Sequence, residues 1–119
     1  MDAYPPVPEP VTALMSALGD AQRQRILQAF LEARSWELAA SAIADRCAPL
    51  SRPAVSHHLG LMRRAGILRA RRDGTRIYYA IDRAYIEDTV KAFLAFLAFL
   101  DVCCVSEACA APDLAEVRA

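Results

Sequence analysis

Three of the chain's four cysteines fall within DVCCVSEAC, residues 101–109: Cys103 and Cys104 are adjacent, and Cys109 follows. Four chemistries suit such a cluster: a disulfide, a structural zinc site, a redox switch, or a sensor for a soft metal. Three nearby thiolates match an ion that accepts trigonal sulfur ligation, because soft donors select soft ions. Trivalent arsenic and antimony meet that description, since their lone pair leaves three bonding positions in a pyramid. Cd(II) and Pb(II) are other soft candidates. Structural zinc asks for a fourth ligand, and the two histidines, His57 and His58, are far away in sequence. Vicinal thiols can also be oxidised, though in strained geometry. The fourth cysteine, Cys47, stands alone beside a turn and reads as a small buried hydrophobe.

The setting of these thiols narrows the choice. The opening MDAYPPVPEP has neither a cationic start nor an apolar run, so it does not read as a signal peptide. Its prolines suggest an extended arm over residues 1–10. The longest apolar run, AFLAFLAFL at 92–100, is about half of what spans a bilayer. The expectation is a soluble, cytoplasmic protein with reduced thiols, which counts against a structural disulfide.

A second constellation is electrostatic. The 119-residue chain has a formal net charge of zero, yet Ser51 to Arg83 holds eight arginines (Arg52, Arg63, Arg64, Arg69, Arg71, Arg72, Arg76, Arg83) against Asp73 and Asp82. A basic block hidden in a neutral average is the footprint of a polyanion-binding face. No nucleophile–base pair and no phosphate loop is recognisable, so an enzyme is not expected.

The elements that would position these residues are mostly helical. Residues 11–18 have apolar spacing of helical period, and Asp20 can cap a second helix with Ile26, Leu27, Phe30 and Leu31 on one face. A third helix is expected over much of 36–47, with Leu38 and Ile43 inward, then a turn at Ala48-Pro49-Leu50. Ser51 looks like the N-cap of a fourth helix with Val55, Leu59 and Met62 as its buried stripe and Gly66 at its C-terminal end. Strands 67–71 and 76–81 flank an Asp-Gly turn, and Asp82 caps a last helix from about Arg83 to Val102. The Ala-Phe-Leu repeat in that helix advances about 300° per repeat, so its apolar residues drift around the cylinder. One face can pack on its own domain, and Phe93, Leu94, Phe96, Leu97 and Leu100 are expected to meet a second subunit.

This order of elements makes a winged helix-turn-helix, mostly α with a two-stranded β wing, over residues 11–102, followed by a cysteine-bearing tail, 103–119. ALGDAQRQRIL (17–27), LSRPAVSHHLGLMRRAGIL (50–68) and RRDGTRIYYAI (71–81) resemble the ArsR/SmtB family of metal-sensing repressors. The resemblance implies a homodimer joined through its terminal helices, binding double-stranded operator DNA. It implies that Ser51, Arg52, Pro53, Ser56 and His57 face the major groove, while Arg72 and Arg76 on the wing contact backbone or minor groove. Short polar side chains plus a long donor at a helix N-terminus suit that task. His57 and His58 point about 100° apart, so they do not share an ion easily. His58 is expected to pack inward or bond locally.

Family members sense metals at several places. Zinc and cobalt sensors use histidines and carboxylates of the last helix, but residues 83–102 here contain no histidine. The Cys-x-Cys pair of the founding arsenic sensors is also missing from 36–47. Some arsenic-responsive members instead have a vicinal pair and a third cysteine after the last helix. Cys103, Cys104 and Cys109 resemble that arrangement, which implies As(III) or Sb(III) as the inducer and no organic cofactor. Redox sensing and Cd(II) or Pb(II) response on the same fold stay open.

Overall fold

The computed structural model describes residues 5–100. Five helices and three strands follow in the order α1 (Glu9–Leu18), α2 (Ala21–Ala33), β1 (Glu37–Ala39), α3 (Ala40–Arg46), α4 (Arg52–Arg64), β2 (Leu68–Asp73), β3 (Arg76–Ile81) and α5 (Arg83–Leu97). The winged helix-turn-helix is therefore present: α3 and α4 form the helix pair, and β2 and β3 form the wing. Among the described residues no helix is long and apolar enough to cross a membrane.

Local chemistry sets most boundaries. The Asp20 carboxylate accepts from the backbone N–H groups of Gln22 (2.8 Å) and Arg23 (3.2 Å), which starts α2. The Ser51 hydroxyl accepts from Ala54 N at 3.2 Å, and Asp82 accepts from Tyr85 N at 3.1 Å. α4 ends in a paired closure: Gly66 N donates to Arg63 O and Ile67 N to Met62 O, both at 3.0 Å. Gly66 supplies the left-handed turn this closure needs (φ 85°), while Met62 and Ile67 are both buried beneath it.

Two expectations need correction. Residues 37–39 form a strand, not the first turn of a helix, and α3 begins only at Ala40. Leu38 pairs with Tyr79 and Ala39 with Tyr78, so β1 joins the wing in an antiparallel sheet of order β1-β3-β2. The reason is tertiary: β3 presents an open edge, and its ladder outweighs the helix propensity of this alanine-rich run. Arg71 on β2 strengthens the arrangement with two bonds to the Glu37 carboxylate (2.9 and 2.7 Å), which lower the Glu37 pKa. The second correction concerns α2. Ile26 and Phe30 are buried, but Leu31 is 77% exposed, because the inward face is completed by Ala29.

The core gathers Ile26, Phe30, Ile43, Val55, Leu59, Met62, Ile67 and Leu68 between the helices and the inner face of the sheet. Cys47 belongs to it, 2% exposed, and burial pushes its thiol pKa up. It is a neutral packing residue. α5 touches this core through the half-buried Ile86. Thr89 is its one buried residue, with its hydroxyl donating to Tyr85 O at 2.8 Å, and the helix packs mainly along α1.

Candidate nucleic-acid interface

α4 turns Val55, Leu59 and Met62 into the core, which leaves Arg52, Pro53, Ser56, His57, Arg63 and Arg64 exposed on the other side. On a regular helix Arg52, Ser56, Gly60 and Arg63 fall within about 80° of one another, so they form one stripe. Arg63 and Arg64 thus extend the expected reading face by two turns. Their charge is visible in the sequence, and the spacing from Ser56 was the signal that places them.

Each expected residue has a distinct setting. Ser51 spends its hydroxyl on the cap of α4. Arg52 Nη2 donates to Asp45 Oδ1 at 2.7 Å, and both side chains are about two-thirds exposed (65% and 68%). An exposed pair of this kind holds a guanidinium loosely, contributing about 0–1 kcal/mol, so a base or phosphate can displace Asp45. Pro53, Ser56 and His57 stand in solvent. Arg72 and Arg76 are exposed on either side of the wing tip, where Gly74 takes a left-handed backbone (φ 65°).

His58 is anchored locally. Its Nε2 lies 2.9 Å from Gln22 Oε1, and its Nδ1 lies 3.3 Å from Arg23 Nη1. A neutral ring protonated on Nε2 satisfies both contacts. Arg23 also donates to the carbonyls of Ala17 and Ser16, so one arginine ties the end of α1 to the middle of α4. The two histidine rings tilt 58° apart with centroids 5.8 Å distant.

A groove of about 350 Å³ runs between α4 and the wing. Arg52 and Ser56 line one wall, Thr75 and Arg76 the other, and Ser41 of α3 closes the end. Ser41 and Thr75 are additions that the sequence alone does not suggest. Ser41 reaches the groove only because α3 starts at Ala40. Of the eight arginines in the basic block, Arg69, Arg71 and Arg83 are paired with Asp82, Glu37 and Glu87 on the sheet and the start of α5. Arg63, Arg64, Arg72 and Arg76 have no carboxylate partner among the described residues. Among the described residues, the unpaired charge of the basic block therefore lies on α4 and at the wing tip.

The expected dimer residues divide by face. Leu94 (58% exposed), Leu97 (37%) and Leu100 (59%) are open to solvent, whereas Phe93 and Phe96 are half-buried toward the body. Val90, also exposed, aligns with Leu94 and Leu97 at helical spacing, and Met15 of α1 is 49% exposed. Cys103, Cys104 and Cys109 lie outside the described residues, and within them no group of three His, Cys, Asp or Glu could hold a metal ion.

Known proteins share this architecture. A helix-turn-helix domain family model matches residues 18–71. The transcriptional repressor SdpR of Bacillus subtilis (strain 168) is 27% identical over 84 residues, 71% of this chain and 89% of SdpR. A cadmium resistance transcriptional regulatory protein, the CadC homolog of Staphylococcus aureus, is 33% identical over 88 residues, covering 73% and 70% of the two chains. Among solved structures, the homodimeric winged helix-turn-helix DNA-binding domain of Mb0332 from Mycobacterium bovis, a possible ArsR-family regulator, is 31% identical with a TM-score of 0.56. That match covers 78% of this chain and 80% of the solved fragment, residues 1–100 of Mb0332. The chain belongs to the ArsR/SmtB family of winged helix-turn-helix transcriptional regulators.

Proposed function

We propose that this protein is a metalloid-responsive repressor: a homodimer that holds operator DNA until As(III) or Sb(III) binds Cys103, Cys104 and Cys109. The observation that carries this reading is the position of three thiols in sequence, directly after an α5 whose outer face is apolar and unpartnered among the described residues. A ligand there acts on the element that sets the separation of the two reading helices. In the apo dimer each α4 enters one major groove, a helical turn apart. Cys103, Cys104 and Cys109 would hold the ion through three metalloid–sulfur bonds, their thiol protons leaving with its three hydroxides as water, and this would favour a dimer geometry in which the α4 helices no longer match both half-sites. Linkage then requires operator DNA to weaken metalloid binding by the same factor.

The test is a DNA-release assay across As(III), Sb(III), Cd(II), Zn(II) and the thiol oxidant diamide, run on the native chain and on Cys104→Ser. The expected result is release by the trivalent metalloids, lost in Cys104→Ser while operator affinity is retained. Release that survives in Cys104→Ser removes the cluster from the mechanism, and release by diamide alone makes the protein a redox sensor. A Cd(II) response is the second reading, favoured by the cadmium-resistance relative and by the same soft-donor chemistry.

On the DNA side, Ser51, Arg52, Pro53, Ser56 and His57 form the major-groove contact set, with Arg63, Arg64, Arg72 and Arg76 on flanking backbone. Arg52→Ala is expected to weaken specific operator binding by about 1–3 kcal/mol while leaving nonspecific binding nearly unchanged. A loss equal on specific and random DNA would make Arg52 a phosphate contact.

A further inference from the structure

The described residues leave a second apolar feature that the DNA-binding reading does not use. A groove of about 360 Å³ opens where α2 ends and β1 begins, with Leu27, Phe30, Leu31, Trp36 and Ile81 as its floor and Arg34 on its rim. Two of its large side chains are open to water, Leu31 at 77% and Trp36 at 56%, while Phe30 beneath them is buried. Arg34 sits there at some cost, for its backbone is left-handed (φ 54°), a position that favours glycine or asparagine. The Arg83 guanidinium adds a second positive charge 5.4 Å from the Trp36 ring centroid.

We propose that this groove is the docking site for residues 112–118 of the same chain, PDLAEVR. Three observations select that occupant. The first is pattern: Leu114 and Val117 are three apart, a spacing that would put both on one face of a helical turn, and Asp113 and Glu116 have the spacing of a helix-start signal. Two apolar anchors on a short turn are what an open apolar groove accepts. The second is charge. Residues 101–119 hold Asp101, Glu107, Asp113 and Glu116 against one arginine, Arg118. The two carboxylates beside the anchors would meet Arg34 on the rim and, beside Trp36, Arg83, whose exposed pairing with Glu87 they would share. The third is reach. The groove lies at the N-terminal end of α5, and from Arg83 to Leu100 a helix advances about 27 Å. Residues 101–111, extended, span about 36 Å, enough to return along α5.

Docking has a chemical consequence. Leu114 and Val117 seated in the groove would tether the chain on both sides of residues 101–111, which would then be a closed loop that contains all three cysteines. Confinement raises the effective concentration of the thiols for one another and lowers the ordering cost of a three-thiolate site. This consequence rests on the thiol-site reading proposed above; the docking itself does not.

Trp36 is the only tryptophan of the chain, so its fluorescence reports the groove directly. In the full-length protein, acrylamide quenching of Trp36 is expected to at least double in the Leu114→Asp/Val117→Asp variant, and to rise also in Arg34→Glu. Operator affinity should stay unchanged in the tail variant. Quenching that is equal in native and variant chains overturns the docking. Quenching that follows protein concentration but ignores both variants also overturns it, and assigns the groove to a second copy. The same variants are then titrated with Sb(III). Weaker Sb(III) binding supports the closed loop, whereas a quenching change with unaltered Sb(III) affinity keeps the docking and removes its consequence. A native chain that binds no Sb(III) fails the thiol reading alone, because the quenching result stands by itself.

Discussion

Gly66→Ala is expected to destabilise the fold far more than Gly74→Ala, although both glycines have positive φ (85° and 65°). A left-handed backbone costs a side-chain-bearing residue about 1–3 kcal/mol wherever it occurs, so both variants share that part. Only Gly66 adds a collision. A Cβ there would stand 2.7 Å from Cδ2 and 2.8 Å from Cζ of Tyr85, whereas at Gly74 nothing lies within 4 Å. The Tyr85 ring must swing away, and Tyr85 belongs to the first turn of α5, whose N-terminus is capped through its backbone N–H. The damage therefore reaches both the C-terminal closure of α4 and the start of α5. Denaturant unfolding at fixed protein concentration measures the difference. Adding Tyr85→Ala should recover the collision part of the Gly66→Ala loss and leave the backbone part. If the two glycine variants lose equal stability, the ring does not rest on Gly66 in solution.

That contact also shows which parts of this molecule were legible in advance. Asp20, Ser51, Gly66 and Asp82 act within a few residues of themselves, and each cap or closure predicted from sequence is present. The buried stripe of α4 was equally readable, because Val55, Leu59 and Met62 repeat at helical spacing and all are buried. What failed depends on distant partners. Glu37–Ala39 became a strand through residues some 40 positions away on β3, and no local signal competes with the alanines around it. His58 was expected to pack inward or bond locally, and it does hydrogen-bond, but its partners Gln22 and Arg23 lie on another helix. Ser41 and Thr75 entered the candidate interface only when α3 and the wing were set opposite α4. Whether the Phe or the Leu of each Ala-Phe-Leu repeat turns inward also needed the fold, since the repeat alone drifts around the helix. The assigned DNA face is thus part sequence pattern and part tertiary placement, while the thiol cluster is legible from sequence alone.

The largest effect on function is expected from Leu94→Glu/Leu97→Glu. These side chains are 58% and 37% exposed and share a stripe with the exposed Val90. Apolar side chains in such a row are costly to leave in water, and a second copy of the same face removes them by two-fold pairing. Two carboxylates on that stripe would face their own copies across the axis, combining desolvation with like-charge repulsion. The core should be untouched, since α5 buries only Thr89 and neither leucine belongs to the central cluster. The expected product is a folded monomer, seen as a halved mass in sedimentation with native circular dichroism. Its operator affinity should fall by about 10²–10⁴-fold, the avidity lost when two half-site contacts are no longer tethered. Affinity for an isolated half-site should change little, because Arg52, Ser56 and His57 are unaltered. A variant that stays dimeric moves the interface to another face. A true monomer that keeps full operator affinity shows that one α4 and one wing suffice, and then a sensor acting through the separation of two reading helices has nothing to act on.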